Sequence, residues 1–289
     1  MAVKSGMKVW FITGASRGFG VDIARAALDR GDSVVATARN PQTVLDALGE
    51  RPNLLAVKLD VAVEADAAPA AKKAIETFGR IDVLVNNAGY GLLGAVEESS
   101  DAEVKAVFKV NVFGLLNVTR SVLPYMRAAR KGHIMNISSV GGYAAYPGWG
   151  VYGSTKFAVE GLSEALSLEL APLGIYATVV EPGFFRTDFL SPSSLSSTKD
   201  RIEDYAETVG AMRTFAAGAD HKQPGDSKKL AIAIVKLADA EKPPVRLPLG
   251  SDTVAKIRHK NADVNEELNR WLEVATSTDH DDVTHSREV

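Results

Sequence analysis

Seven short runs rich in Val, Ile and Leu recur along this chain, each followed by a longer stretch with helical periodicity. The predicted strands are Val9–Thr13, Ser33–Ala38, Leu54–Leu59, Ile81–Asn86, His133–Ile137, Ile175–Glu181 and Val245–Pro248. Near-continuous apolar runs of this length belong to strands covered on both faces, which is the situation in a parallel sheet. The intervening segments near 19–30, 41–48, 64–78, 102–129, 151–171 and 226–239 predict helices. Unbroken alternation of this kind predicts one α/β domain, a doubly wound parallel sheet of about seven strands with helices on both faces. Two stretches depart from the rhythm. Residues 190–225 are rich in Ser and Gly with weakly amphipathic pieces, and after Leu249 comes a polar helix at about Asp252–Val274 and a loose tail from Thr276.

The charge balance narrows the partners. A formal net charge of −3 and the lack of a long basic run leave no electrostatic footprint for nucleic acid or an anionic membrane. The chain contains no cysteine, which removes disulfides, thiolate catalysis and cysteine-ligated metal. Its five histidines (133, 221, 259, 280 and 285) form no ligand-like cluster, so no metal site is expected. The apolar runs that read as strands are too short to span a bilayer, and Met1–Lys8 has no apolar stretch resembling a secretion signal. The expected location is cytoplasmic.

Chemistry enters at the first turn. Strand one runs into Thr13-Gly14-Ala15-Ser16-Arg17-Gly18-Phe19-Gly20 and then a helix. Glycines here let backbone approach a pyrophosphate, and the helix N-terminus offers free N–H groups and the positive end of a dipole. The same spacing would also serve a tight turn that merely permits close packing. At the end of strand two the sequence reads Thr37-Ala38-Arg39-Asn40, with no carboxylate for a ribose 2′-hydroxyl. Arg39, helped by Arg17, is suited to a 2′-phosphate; the alternative is that both are solvated surface charges.

A second constellation lies downstream. Tyr152 and Lys156 stand four apart at the start of a helical pattern, hence on one face. A neighbouring cation favours the phenolate of a tyrosine, whose free pKa is about 10. Thirteen positions before Tyr152, strand five ends in Asn136-Ile137-Ser138-Ser139, at the sheet edge where open α/β folds bind ligands. Those serines either donate to a substrate oxygen or cap the strand end. Asn111 interrupts an apolar helix, and a buried amide must be bonded, as a structural clamp or as part of a proton path.

Taken in order, these motifs resemble the single-domain branch of the short-chain dehydrogenase/reductase family. They are Thr13-Gly14-x-x-x-Gly18-x-Gly20, Asp60-Val61, Asn86-Asn87-Ala88-Gly89, Asn111, Ser139, Tyr152-x-x-x-Lys156 and Pro182-Gly183. The match covers roughly residues 8–250, so residues 1–250 read as a Rossmann-type NADP-binding and catalytic domain, with 190–225 as a substrate lid. The resemblance implies an NADP(H)-dependent oxidoreductase interconverting a carbonyl and an alcohol. In that scheme Tyr152 is the general acid or base and Lys156 lowers its pKa and holds the nicotinamide ribose. Ser139 holds the substrate oxygen and Asn111 anchors a water-linked relay. Gly14, Ser16, Arg17, Gly18, Phe19 and Gly20 would cradle the phosphates and Arg39 the 2′-phosphate. Asp60 and Val61 would flank the adenine, Asn87, Ala88 and Gly89 the adenosine ribose side, and Pro182, Gly183 and Thr187 the nicotinamide. It also implies a homodimer or homotetramer built on helices 102–129 and 151–171.

Loops at the strand ends offer Tyr90, Leu92, Leu93, Tyr143, Tyr146, Trp149, Phe184, Phe185 and Phe189. An apolar, aromatic wall predicts a bulky hydrophobic ketone, aldehyde or alcohol as substrate. Gly89-Tyr90-Gly91 and Lys156-Phe157-Ala158-Val159-Glu160-Gly161-Leu162 are similar to the steroid- and retinol-type members. A nucleotide-binding sensor or partner protein without turnover is the other expectation, although such members usually lose the tyrosine or lysine kept here. Residues 251–289 run beyond a minimal member: they pack across an oligomer interface, cover the pocket, or form a solvated helix and a loose tail.

Overall fold

The computed structural model describes residues 6–280 and Val283. Residues 1–5, on which part of the leader reading rests, and the rest of the expected tail lie outside the described residues. The sheet strands are β1 Val9–Ile12, β2 Ser33–Ala38, β3 Leu54–Lys58, β4 Val83–Asn86, β5 Gly132–Ile137, β6 Ile175–Pro182 and β7 Arg246–Leu249. They form one parallel sheet of seven strands in the order β7-β6-β5-β4-β1-β2-β3. Each lies within a few residues of its sequence expectation. Strand order reverses between β1 and β4, and crevices at such reversals are where open α/β sheets hold ligands.

Both faces of the sheet are buried, which explains the unbroken apolar runs. Val9 and Phe11 of β1 face one core, and Trp10 and Ile12 face the other; all four are 0% exposed. Burying one such side chain contributes roughly 1.5–3 kcal/mol. On the Trp10 side pack α1 (Gly18–Asp29), α2 (Gln42–Leu48) and the later helix Ser227–Ala238. On the Phe11 side pack α3 (Glu64–Phe78) and α4, a continuous helix over Asp101–Ala129. By length and composition α4 could cross a membrane. Yet Val118, Val122 and Met126 are at most 1% exposed within the sheet's core. Ser100 and Glu103 close a capping box at its start, with Glu103 Oε2 accepting the Ser100 N–H at 2.9 Å.

Two features escape the sequence reading. The segment Lys109–Gly114 of α4 is a π-turn, which 3.6-residue periodicity does not reveal. Within 190–225, Leu195–Ser197 pairs in parallel with Gly91–Leu93, and Gly225-Asp226 pairs with Phe185-Arg186. A further helix, Ala211–Ala219, is pinned by Arg213 against Glu98, which is 2% exposed and also accepts the N–H groups of Ala95 and Ile202. The Ser/Gly-rich stretch is thus tied down at several points. The helices Gly150–Leu170 and Ser251–Arg270, here α5 and α6, complete the frame of the site.

At the other end of the sheet His133 on β5 is 5% exposed, with Nε2 2.9 Å from Thr178 Oγ1. Burial, aided by the charge of Lys8, pulls its imidazole from 6.5 down to about 4. Between those values the unfolded chain binds a proton that the folded chain refuses, so stability falls as pH drops through this window, by up to ~3 kcal/mol. Urea unfolding at pH 7, 6 and 5 is expected to show this slope in the native protein and a flatter one in His133→Gln. Superimposable slopes would assign the effect to other groups.

Candidate active site

The turn after β1 is built by mutual bonding with the turn after β4. Thr13 Oγ1 accepts the N–H groups of Asn87 at 2.9 Å and Ala88 at 3.0 Å. The Asn87 amide donates back to the carbonyls of Thr13 at 2.9 Å and Gly14 at 3.0 Å. Gly14 has φ +64°, and a Cβ on Gly20 would lie 2.3 Å from the Gly14 carbonyl, so neither position admits a side chain without movement. No side chain caps the start of α1 and its first turn carries no acid. Its first N–H groups therefore remain available to an anion, and the arrangement fits a dinucleotide pyrophosphate.

Beside this cradle the α5 face carries Tyr152 and Lys156, 6% and 7% exposed. Lys156 Nζ donates to the Ile137 carbonyl at 2.8 Å and stands 5.8 Å from the centre of the Tyr152 ring. Burial pushes the Tyr152 phenol well above its usual range, and the Ser139 hydrogen bond offsets this only in part. The depression by the lysine expected from sequence is not seen: burial dominates and the phenol stays in its neutral form at pH 7. Burial also pulls Lys156 down to about 8 against the opposing pull of Glu160. Ser139 Oγ accepts the Gly141 N–H at 3.1 Å, so the strand-end capping role is realised.

Asn111 sits in the π-turn of α4, 2% exposed. Its Oδ1 accepts the Tyr90 N–H at 3.1 Å, and its Nδ2 donates to the Tyr90 carbonyl at 2.9 Å and to Thr155 Oγ1 at 3.1 Å. That is a clamp between α4, α5 and the loop after β4. A Cβ added at Gly89 would meet Asn111 Oδ1 at 3.1 Å and Lys156 Nζ at 3.7 Å, which puts both groups around one glycine.

A cavity of about 680 Å³ joins these parts, from Arg39 and Asp60 past the glycine turn to Tyr152 and on to residues 182–196. Of the residues singled out from sequence for cofactor or catalysis, all line it except Gly20 and Asn111, which lie behind it. Asn87 lines it too, with its amide engaged by the turn. Arg39 and Arg17 are both exposed at its far end, and Arg17 Nη2 donates to the Ser193 carbonyl at 2.6 Å, tying the 190s segment to the glycine turn. The aromatic wall consists of Tyr90, Tyr146, Trp149, Phe184, Phe185 and Phe189. Trp149 and Phe189 pack on the Tyr152 ring with centroids at 5.6 and 5.5 Å.

Three expected wall residues are elsewhere. Leu92 and Leu93 are buried in core clusters beneath the wall, because Gly91–Leu93 forms a strand. Tyr143 turns towards α6, donating to Asn261 Oδ1 at 2.6 Å. The start of α6 borders the site: Asp252 Oδ2 accepts the Phe184 N–H at 2.8 Å and Lys256 Nζ lies 5.1 Å over the Tyr146 ring. Further along α6, Val264, Leu268 and Trp271 just past its end are exposed. Sequence reasoning passed over Thr155 and Glu160, although Tyr152, Lys156 and Glu160 follow one buried face at intervals of four, and that spacing was the available signal.

Comparison with known proteins agrees with this geometry. Residues 8–198 match the short chain dehydrogenase family. The chain is 37% identical over 273 residues to oxidoreductase BOA17 of Botryotinia fuckeliana (strain B05.10), covering 94% of this chain and 99% of that protein. It is 38% identical over 244 residues to the 3-ketodihydrosphingosine reductase of Bacteroides thetaiotaomicron, covering 84% and 88%. A crystal structure of a short-chain dehydrogenase from Streptomyces avermitilis superposes with a TM-score of 0.89 at 41% identity, covering 96% of this chain and 100% of that one. Two more distant structures, each 26% identical, hold different dinucleotides. One is a Burkholderia phymatum short chain dehydrogenase/reductase with NAD (TM-score 0.79, covering 90% and 95%), the other ElxO with NADP (TM-score 0.72, covering 86% and 99%). With the glycine turn, the seven-stranded sheet and these relatives in agreement, the chain belongs to the short-chain dehydrogenase family of oxidoreductases.

Proposed function

We propose that this oxidoreductase uses NADP(H) to interconvert a hydrophobic ketone or aldehyde and its alcohol, with Tyr152 as the proton-transfer residue. The observation that carries the reading is the buried Tyr152 phenol at the junction of the glycine-turn cavity and the aromatic wall. Bound in that cavity, the dinucleotide supplies or accepts the hydride. Tyr152 then gives its proton to the carbonyl oxygen in reduction, or takes one from the alcohol in oxidation. Lys156, fixed by the Ile137 carbonyl, holds positive charge beside the phenol and favours it at the moment it gives up its proton. Ser139 is positioned to hold the substrate oxygen, and the 190s segment to close over the site and exclude water. The wall of Tyr90, Tyr146, Trp149, Phe184 and Phe189 suits a bulky apolar carbonyl. The reductase relative that acts on 3-ketodihydrosphingosine supports an apolar ketone in particular.

Tyr152→Phe removes only the transferable proton. Turnover of a hydrophobic carbonyl should fall by about 10²–10⁴-fold while NADPH binding, followed by fluorescence, stays near the native value. A variant keeping more than about a tenth of the native rate would exclude Tyr152 as the general acid.

NADP(H) preference rests on Arg39, exposed at the cavity's far end beside Ala38 with no acid on that stretch of β2. Charge-assisted bonds contribute roughly 1.5–3 kcal/mol each, reduced by solvent at an exposed site. NADPH should therefore exceed NADH by about ten- to a thousand-fold in kcat/KM, with a gap that narrows as salt rises. Replacing Ala38→Asp and Arg39→Ala together is expected to reverse the order. Equal use of both cofactors at low salt would leave the arginines as surface charges.

The same reading assigns assembly to α4 and α5. Phe113, Phe157 and Leu168 on these helices are 56%, 47% and 74% exposed, more apolar surface than a solvated helix face needs. Light scattering at micromolar concentration should return two or four times the 30.8 kDa chain mass. A single-chain mass throughout would refute the pairing.

A further inference from the structure

Behind Lys156, four elements bring together a group of side chains of which Ser138 lines the cavity and Glu160, Glu181 and Arg246 do not. Glu160 lies one turn beyond Lys156 on α5, Glu181 precedes Pro182 on β6, Arg246 comes from β7 and Ser138 from the end of β5. Arg246 Nη1 donates to Glu160 Oε2 and reaches Glu181 Oε1 at 3.3 Å, while its Nη2 donates to Glu164 Oε2 at 2.9 Å. Its guanidinium is seated over the Tyr143 ring, 5.7 Å from the centre. Glu160 and Glu181 are 5% and 1% exposed, whereas the Glu164 side chain is 61% exposed. One cation thus answers three carboxyls, and two of these are out of water.

Two buried neighbouring carboxyls resist ionising together, because each charge opposes the other and both have lost hydration. The hydrogen bonding makes the same point independently. Glu160 Oε1 and Glu181 Oε2 are buried and have no donor among the described residues, and ionised carboxylate oxygens can only accept. The Ser138 hydroxyl lies near enough to favour ionised Glu160, yet forms no bond of good geometry to it. One proton between the carboxyls would supply the missing donor and cancel one charge.

We propose that Glu160 and Glu181 share a single proton at neutral pH, and that the charge on this pair is the counterweight that keeps Lys156 an ammonium. Glu160 is then a positioning residue, acting through Lys156. Burial raises Glu160 to about 8, with the Glu181 charge adding to the rise and Ser138 and Arg246 opposing it. The pair therefore gains its second negative charge over the pH range in which buried Lys156 would lose its proton. The groups facing Glu160 are Lys156 and Glu164 on its own helix, Ser138 on β5, Glu181 on β6 and Arg246 on β7. The consequence for turnover rests on the function proposed above; the shared proton does not.

The test uses the full-length protein. Infrared spectra of the native chain at pH 7, in H₂O and D₂O, should show the C=O stretch of a neutral carboxylic acid that is missing in both Glu160→Gln and Glu181→Gln. Carbon-13 NMR titration of lysine-labelled protein without substrate, with Lys156→Arg assigning the signal, should place the Lys156 transition about one unit lower in Glu160→Gln. The alkaline limb of kcat should move the same way, and exposed Glu164→Gln should move neither. A native spectrum without the acid band overturns the proposal. So does an unmoved Lys156 transition in a folded Glu160→Gln protein, or an equal shift in Glu164→Gln. Failure to turn over any carbonyl would sink the functional reading alone, leaving the infrared and NMR results to decide this one.

Discussion

The bonds between the turns after β1 and β4 hold the working end of the molecule together. Thr13 and Gly14 share four hydrogen bonds with Asn87 and Ala88 across the point where strand order reverses. Without them, buried backbone N–H and C=O groups of both turns would lack partners, at a cost of about 1–3 kcal/mol each. The glycine turn keeps its shape because of this exchange, and the N-terminus of α1 is aimed by the turn. Asn87 is therefore part of the scaffold as well as of the cavity wall. The motif Asn86-Asn87-Ala88-Gly89 owes part of its residue choice to that architecture: the Asn86 amide, beneath, donates to Thr119 and Asn136.

Electrostatics at the site follow from burial more than from pairing. Tyr152, Lys156 and Glu160 succeed one another along one buried face of α5, and each is displaced in the direction that burial dictates. The phenol and the carboxyl are pushed up and the ammonium is pulled down. Neutral forms are favoured throughout, and the residual charges are arranged by fixed partners: the Ile137 carbonyl for Lys156, and Arg246 for the carboxyls. A site of this kind holds protons in place with little help from water.

The sheet was legible because parallel strands buried on both faces leave long apolar runs, as Trp10, Phe11 and Ile12 illustrate. The glycine turn and the Tyr152–Lys156 pair were legible because their meaning lies in local spacing. What could not be read depends on partners distant in sequence. Leu195–Ser197 becomes a strand only because Gly91–Leu93 lies beside it, and that pairing removes Leu92 and Leu93 from the wall they were expected to form. The Glu160, Glu181 and Arg246 group draws on three elements, and although the four-residue spacing on α5 points to Glu160, nothing local links it to Glu181 or Arg246. Asn111 was visible as a polar break in an apolar helix, but which backbone it clamps is set by the fold, which brings Tyr90 against it.

The π-turn that carries Asn111 has a further meaning for α4. A π-turn holds one residue more than the α-helical turn it replaces, and one residue in an α-helix corresponds to about 100° of rotation. The helix therefore changes phase at Lys109–Gly114, so that its two halves answer to different neighbours. Before the shift, Val107 packs with Leu92 and Val151 near the site; after it, Val118, Val122 and Met126 pack in the sheet's core. Losing a single residue there would swing the later stripe away from the sheet while leaving the composition of the helix almost untouched. For this stretch of chain, length is as tightly constrained as identity.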